Sequence, residues 1–342
     1  MDQKRASNQE VRKINRLNTI RSILACERIS QRELAQKLDV SWPTVLQNVK
    51  ELAALGLVQE VGSFESTGGR KAKALAPNRD AHLAVGLDIT QKHIGLVLTN
   101  LSGDLIQYTR KKLAFSLEEA YFQTVASEIL AFVASANYPK ERILGLGVSL
   151  PGIVDVKADI LTYSHALDLR DTPLEEFRRH MPFPCVFIND ANAAGFAELR
   201  GQDGPRSTLY LSLSNSVGGA ILTGGQLYTG NHLRAGEFGH TTLIPDGRPC
   251  YCGKLGCVDS YCSAKRLAEL ANGSLELFFD RLRAGDPEIK TAWLEYLNWL
   301  AIVVNNLEMS FDCDVIVGGY VGSFLGEHVQ LFRSILAARN TF

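Results

Sequence analysis

No stretch of the 342 residues approaches the ~20 consecutive apolar positions of a membrane span. The polar start Met1-Asp2-Gln3-Lys4-Arg5 is not that of a signal peptide. A charge excess is lacking too: 36 Lys and Arg against 37 Asp and Glu leave a net charge of −1. Seven cysteines make an odd number, and Cys26, Cys185, Cys262 and Cys313 are scattered, so a disulfide framework is not expected. These absences leave an ordinary globular chain of two or three domains, expected in the cytoplasm and away from membranes.

Charge is nevertheless unevenly placed. Residues 1–78 hold 13 basic and 8 acidic residues, a net of +5; the rest hold 23 and 29, a net of −6. A basic head on an acidic body suggests a polyanion partner at the N-terminus. The remaining three cysteines lie together. His240, Cys250, Cys252 and Cys257 follow the spacing H-x9-C-x-C-x4-C within eighteen positions. Three thiolates and one imidazole, with no open position, suit a structural tetrahedral Zn2+. A disulfide pair plus a buried thiol is the alternative for the same residues. Glu237 stands three residues before His240 and Asp259 two after Cys257, so a metal staple would fix two carboxylates near one pocket.

In residues 1–78, Leu17, Ile20 and Leu24 recur at helical spacing and predict a first helix over 8–25. Ser30, with Glu33 three positions later, predicts a capping box opening a short helix to Leu38. Asp39-Val40 makes the turn, and Ser41 with Pro43 opens a third helix whose inner side carries Val45, Val49 and Leu52. Ser41, Trp42, Thr44, Gln47, Asn48 and Lys50 then form the opposite, hydrogen-bonding side, as a helix read into a major groove requires. Leu57–Val61 and Ala72–Leu75 read as a two-stranded wing, with Arg70 and Lys71 in its glycine-rich tip, able to reach phosphates or a narrow minor groove. Together they predict a winged helix-turn-helix, the alternative being a helical protein-interaction module. Ala76-Pro77-Asn78 reads as the linker.

Residues 79–342 read as an α/β body. Val85–Asp88, Ile94–Leu98 and Leu105–Tyr108 form a strand meander, and the same plan returns from Leu209. The repeat predicts two lobes, about 79–205 and 206–342, facing a cleft. The strand Cys185–Ile188 runs into Asn189 and Asp190 at a helix start, where ligands of such sheets sit.

These residues resemble the ROK family of repressors, open reading frames and sugar kinases, in particular its regulators of the xylose and N-acetylglucosamine repressor type. The matching motifs are Ser66-Thr67-Gly68-Gly69-Arg70, Leu150-Pro151-Gly152, Asn189-Asp190-Ala191-Asn192, Gly236-Glu237-Phe238-Gly239-His240 and the cysteine cluster. The resemblance implies a two-lobed actin/hexokinase-like, ribonuclease-H-like body, a structural zinc and a homodimer or homotetramer. It implies sugar binding by Asn189, Asp190, Glu237 and His240, with Asp259 where the family usually has Glu. Asp190 falls where the kinases hold their general base.

Several positions depart from the kinase pattern. The first phosphate loop, Asp-x-Gly-Gly-Thr in kinases, reads Asp88-Ile89-Thr90-Gln91-Lys92, and the second reads Ser214-Asn215-Ser216-Val217-Gly218-Gly219-Ala220. Side chains in place of glycine obstruct a backbone cradle, which argues against ATP. The resemblance also leads us to expect a Gly/Ala-rich helix beyond Phe342, and hence a truncated end. The expected function is a sugar-responsive repressor of carbohydrate genes that binds a double-stranded operator and is not an enzyme. The alternatives are a hexose kinase with a regulatory head and a DNA-binding protein with a vestigial pocket.

Overall fold

The computed structural model describes residues 8–64, 72–198 and 206–339. The expected wing tip, with Arg70 and Lys71, lies outside them. The chain divides into two compact units. One runs to Val148 and takes in Glu175–Val186; the other comprises Ser149–Leu174 and the chain from Phe187.

The first unit opens with α1 (Asn8–Leu24), β1 (Ile29–Ser30), α2 (Gln31–Leu38), α3 (Trp42–Ala54), β2 (Val58–Ser63) and β3 (Lys73–Pro77). Ser30 and Glu33 form the predicted capping box: Ser30 N donates to Glu33 Oε2 at 2.7 Å and Glu33 N to Ser30 Oγ at 3.2 Å. Asp39 takes a left-handed φ of 50° between α2 and α3, a conformation Asp tolerates. Ile23, Leu34, Val45, Val49, Leu52, Val58 and Leu75 make the core. Leu17 does not join it. It stays 44% exposed, because at 100° per residue it lies about 120° round the helix from Ile23.

The strands form a sheet in the order β1-β3-β2. The two-residue β1, too short for an alternating pattern, was not legible in the sequence. The expected linker is part of this sheet. Ala76 and Pro77 belong to β3, and Asn78 donates from its backbone to Leu57 O and from Nδ2 to Gly56 O, both at 2.9 Å.

The chain continues through β4 (Leu83–Ile89), β5 (His93–Asn100), β6 (Leu105–Lys112), α4 (Glu119–Ser135), β7 (Ile143–Leu150), β8 (Ile153–Asp155), β9 (Ile160–Ser164), β10 (Leu169–Pro173), α5 (Glu175–Arg178), β11 (Cys185–Asn189) and α6 (Asp190–Glu198). Next come β12 (Thr208–Leu213), β13 (Val217–Thr223), β14 (Gln226–Leu227), α7 (Asp259–Cys262), α8 (Ala264–Ala268), α9 (Leu275–Arg283), α10 (Pro287–Phe311), β15 (Asp314–Gly318), α11 (Gly319–Leu325) and α12 (Val329–Ala337).

The repeat read from the sequence is present in the topology. One sheet runs β11-β7-β4-β5-β6 and another β14-β13-β12-β15. In each, an antiparallel three-stranded meander gains a later strand beside its first member. A separate three-stranded sheet, β10-β9-β8, follows Gly152. In the second unit α6 lies on β12 and β13, close enough that a Cβ on Gly195 would come within 2.6 Å of Ala220. The core there joins Leu211, Leu213, Phe278, Phe279, Leu297, Leu300 and Val321. Among the described residues no helix is long and apolar enough to cross a membrane.

Candidate functional site

The outer face of α3 is polar at both ends and aromatic at its start. Ser41, Trp42, Gln47 and Lys50 are exposed, Thr44 is half-buried, and Trp42 is 48% exposed. Ser41 stands at the N-cap as predicted, but its hydroxyl pairs with Thr44 Oγ1 at 2.9 Å and not with the backbone. Gln47 donates to Glu51, which also holds Arg16 of α1. Asn48 departs from the expectation. It is buried and donates from Nδ2 to Thr19 Oγ1 at 3.0 Å, pinning α3 to α1. The helical period puts Asn48 beside Val45 and Val49, on the inner side.

His240, at the end of the turn Phe238–His240, converges with the three cysteines, and the four ligand atoms lie within 4.8 Å of one another. Cys252 Sγ is 3.7 Å from Cys257 Sγ, and Cys250 Sγ is 3.8 Å from His240 Nδ1. A tetrahedral ion with metal–sulfur bonds of ~2.3 Å requires edges of about 3.8 Å. Those two separations fit such an edge, and all seven cysteines are free. Two glycines permit the fold: Gly253 at φ +88° and Gly256 at φ +76°, where a Cβ would meet Ile244 O at 1.6 Å.

Burial, together with the two neighbouring thiols, pushes the Cys257 thiol up to about 12. Burial likewise raises Cys250 and depresses His240. It opposes ionisation of Cys252 as well, but the Lys254 amide, the neighbouring thiols and the Lys254 charge outweigh it and lower that thiol. Ionising all three thiols at these spacings would require a cation between them. The outer nitrogen of His240 faces away from the cluster and pairs with Tyr251 Oη at 3.2 Å, and Tyr251 stacks on His165 at 4.2 Å between ring centroids. Nothing in the spacing announced this aromatic pair.

Beside the cluster lies a pocket lined by Gly152, Ile153, Val154, Asn189, Asn192, Gly219, Thr229, Leu233, Ala235 and Glu237. Of the five residues expected to bind a sugar, Asn189 and Glu237 line it; Asp190, His240 and Asp259 do not. Asn189 caps α6: its Oδ1 accepts from Asn192 N at 2.9 Å while Nδ2 donates to Gly152 O and Asp190 Oδ1. Asp190 Oδ1 also accepts from Ala191 N at 2.8 Å. The side chains of Asn192, Thr229 and Glu237 make no hydrogen bond among the described residues. Burial raises the Glu237 carboxyl above its ordinary value, against a smaller opposing effect of Arg234.

Asp259 is 6% exposed and its Oδ1 accepts from Val217 N at 2.5 Å; burial raises its pKa and the Val217 amide partly offsets this. The 237–240 segment is pressed against β13. A Cβ on Gly219 would meet Gly236 O at 2.8 Å, and one on Gly239 would meet Val217 O at 2.0 Å. The loops at residues 88–92 and 214–220 hold hydrogen bonds to protein groups within and beyond them. Thr90 N donates to His93 O, and the carbonyls of Gln91 and Lys92 are held by Phe115 N and Leu113 N. Ser214 N donates to Ser216 O, Ser214 O accepts from Ala264 N, and Val217 N is held by Asp259.

The fold and site define an α/β protein of actin/hexokinase-like plan that carries a winged helix head and a Cys3His knuckle. Residues 84–337 match the ROK family and residues 12–59 a winged helix-turn-helix DNA-binding family. The chain belongs to the ROK family. A xylose repressor of Caldicellulosiruptor bescii is 27% identical over 355 residues, covering 96% of this chain and 89% of its own. Among solved structures, a ROK family transcriptional regulator homologous to the E. coli MLC protein superposes with a TM-score of 0.77 at 18% identity, over 96% of this chain and 88% of its own. A ROK family glucokinase from Streptomyces griseus, solved with glucose and AMPPNP, matches at 27% identity and a TM-score of 0.61, over 74% and 89% of the two chains.

Proposed function

We propose that the protein is a saccharide-responsive transcriptional repressor. Its parts are a DNA-binding head, residues 1–78, and a two-lobed ligand-binding body, residues 79–342. The observation that carries this reading is the presence in one chain of a helix with an exposed polar face and a pocket with three polar side chains that make no hydrogen bond among the described residues. A carboxylate and an amide are the groups that grip sugar hydroxyls, and Glu237 and Asn192 supply them. Asp190 and His240, which do not line the pocket, are proposed to reach the ligand when it is bound, His240 by exchanging its Tyr251 partner for the ligand. The likeness to a xylose repressor over nearly the whole chain supports the same reading.

On the DNA side the contacts come from Ser41, Trp42, Thr44, Gln47 and Lys50 of α3, with Arg70 and Lys71 of the wing reaching the backbone. Asn48 acts as an internal brace. Two heads of a homodimer or homotetramer grip an operator whose half-sites lie about 34–36 Å apart, or a multiple of that, and a saccharide in the body alters their spacing. The ion held by His240, Cys250, Cys252 and Cys257 is a structural zinc that rigidifies the segment carrying Glu237. The protein works in the cytoplasm and is not a kinase. In support, the amides of Thr90, Ser214 and Val217 in the loops at residues 88–92 and 214–220 donate to protein acceptors.

The test is binding of the full-length protein to an operator selected from random duplexes, read by fluorescence anisotropy with and without D-xylose, D-glucose and N-acetyl-D-glucosamine. Release of the operator by one sugar supports the reading. ATP-dependent phosphorylation of any of them at ordinary enzyme rates overturns it in favour of a kinase with a regulatory head.

A further inference from the structure

Nine non-glycine residues have a left-handed φ among those described, and eight of them are Asp or Asn, which tolerate it. The ninth is Leu233, at φ +58°. A branched apolar side chain has no local reason to adopt this backbone, and such outliers persist only where the surroundings impose them. The surroundings here are a short closed loop. Tyr228 N donates to Ile221 O at 2.8 Å, Ala235 N returns to Thr229 O at 3.2 Å, and Glu237 N donates to Arg234 O at 3.4 Å. Gly230 at φ +72° and Gly236 at φ +87° bracket the segment. The loop sets Leu233 in the wall of the pocket.

The pocket encloses about 30 Å3, so a saccharide enters it only by displacing part of the wall to which Leu233 belongs. Its polar side chains are Asn189, Asn192, Thr229 and Glu237; Ile153, Val154, Leu233 and Ala235 are apolar. A ligand hydroxyl pressed against the Leu233 isobutyl group would lose its water and gain no partner.

We propose that Leu233 is the specificity-determining residue of this pocket, selecting a saccharide whose edge toward it carries no hydroxyl: a pentose, a deoxy sugar or one with a methyl group there. This rests on the reading of the pocket as a saccharide site. The strained backbone places the side chain, and the side chain sets the ligand's outline. Replacing it with glycine removes both the strain and the obstruction.

The experiment is calorimetric titration of the full-length protein and of its Leu233→Gly and Leu233→Ala variants with D-glucose, 2-deoxy-, 3-deoxy- and 6-deoxy-D-glucose and D-xylose. The wild type should bind one of the four hydroxyl-poor sugars about tenfold or more tighter than D-glucose. Leu233→Gly should bring that ratio to within about threefold of unity, mainly by strengthening D-glucose. An unchanged ratio in both variants, or a wild type that prefers D-glucose, overturns the role of Leu233 while leaving a saccharide pocket. Silence of all three proteins toward all five sugars overturns the pocket reading and this proposal with it. Thermal melts check the backbone independently: Leu233→Gly should melt ~2–4 °C above Leu233→Ala, and the reverse order overturns the left-handed placement.

Discussion

The carboxylate of Asp259, two residues beyond Cys257 of the His/Cys3 cluster, accepts a hydrogen bond from Val217 N at 2.5 Å. It joins the knuckle to the start of β13, against which the Glu237 segment is packed. Asp259→Ala leaves a buried amide unsatisfied and should cost about 1–3 kcal/mol, seen as a lower urea midpoint. Asp259→Asn keeps an acceptor oxygen and should recover most of the loss. Equal stability of the alanine variant and wild type would show the bond to be idle.

Asn48 and Gln47 are neighbours in sequence on different sides of α3, the first buried and the second exposed. Asn48→Ala breaks the tie to Thr19 and should lower stability by about 1 kcal/mol, with operator preference unchanged. Gln47→Ala should leave the melting temperature within a degree or so and alter base preference at one operator position. Melting curves and binding to single-base operator variants separate the two.

Metal binding by the His240, Cys250, Cys252 and Cys257 cluster should be coupled to its stability. Cys252→Ser should lower metal affinity and the melting temperature of the body, and leave the head folded. Chelator-induced metal release, followed colorimetrically beside a thermal melt, measures both. A variant that keeps one equivalent of zinc under chelator would refute the ligand assignment.

The capping box of α2 makes a pH prediction. The Ser30 amide, then its hydroxyl, holds Glu33 below its ordinary 4.5. A depressed carboxylate adds stability above its unfolded value and loses it as pH falls through the lower folded value. Glu33→Ala should therefore destabilise at pH 7 and hardly at all below the folded pKa. Ser30→Ala should cost about 0.5–2 kcal/mol at pH 7.

Glu237 titrates in the other sense. Burial raises its carboxyl above 4.5, so in the ligand-free protein its ionised form costs stability, and stability from this group grows as pH falls through the raised value. Ligand binding should weaken over the same range, as protonation removes the charged acceptor. Glu237→Gln should flatten the pH profile of saccharide affinity and lower that affinity at pH 7 by about 1.5–3 kcal/mol. A profile that stays level in wild type would exclude Glu237 from the ligand.

The elements with strong local signals were legible in the chain alone. Ser30 and Glu33 announced α2, Ser41 and Pro43 announced α3, and the repeated meander announced the pairing of β4–β6 and of β12–β14. The convergence of His240, Cys250, Cys252 and Cys257 was legible because their types and spacing suit a common ligand set. β1 and the sheet β8–β10 were not, since strands of two to five residues take their shape from their partners. The linker was misjudged because Pro77 reads as a breaker, whereas at the end of a strand it costs no ladder bond.

The sequence by itself determined the classes of chemistry: a winged helix-turn-helix head, three thiols with an imidazole, and a carboxylate in a glycine-rich motif. Those follow from residue type and short spacing, which survive any arrangement of the rest. Only the tertiary structure decided which of them share a space. It turned Asn48 inward to Thr19, drew Asp259 away to Val217, paired His240 with Tyr251, and set Leu233 in a pocket wall through a backbone angle that leucine does not choose. Such placements depend on contacts between residues far apart in the chain, and no local preference encodes them.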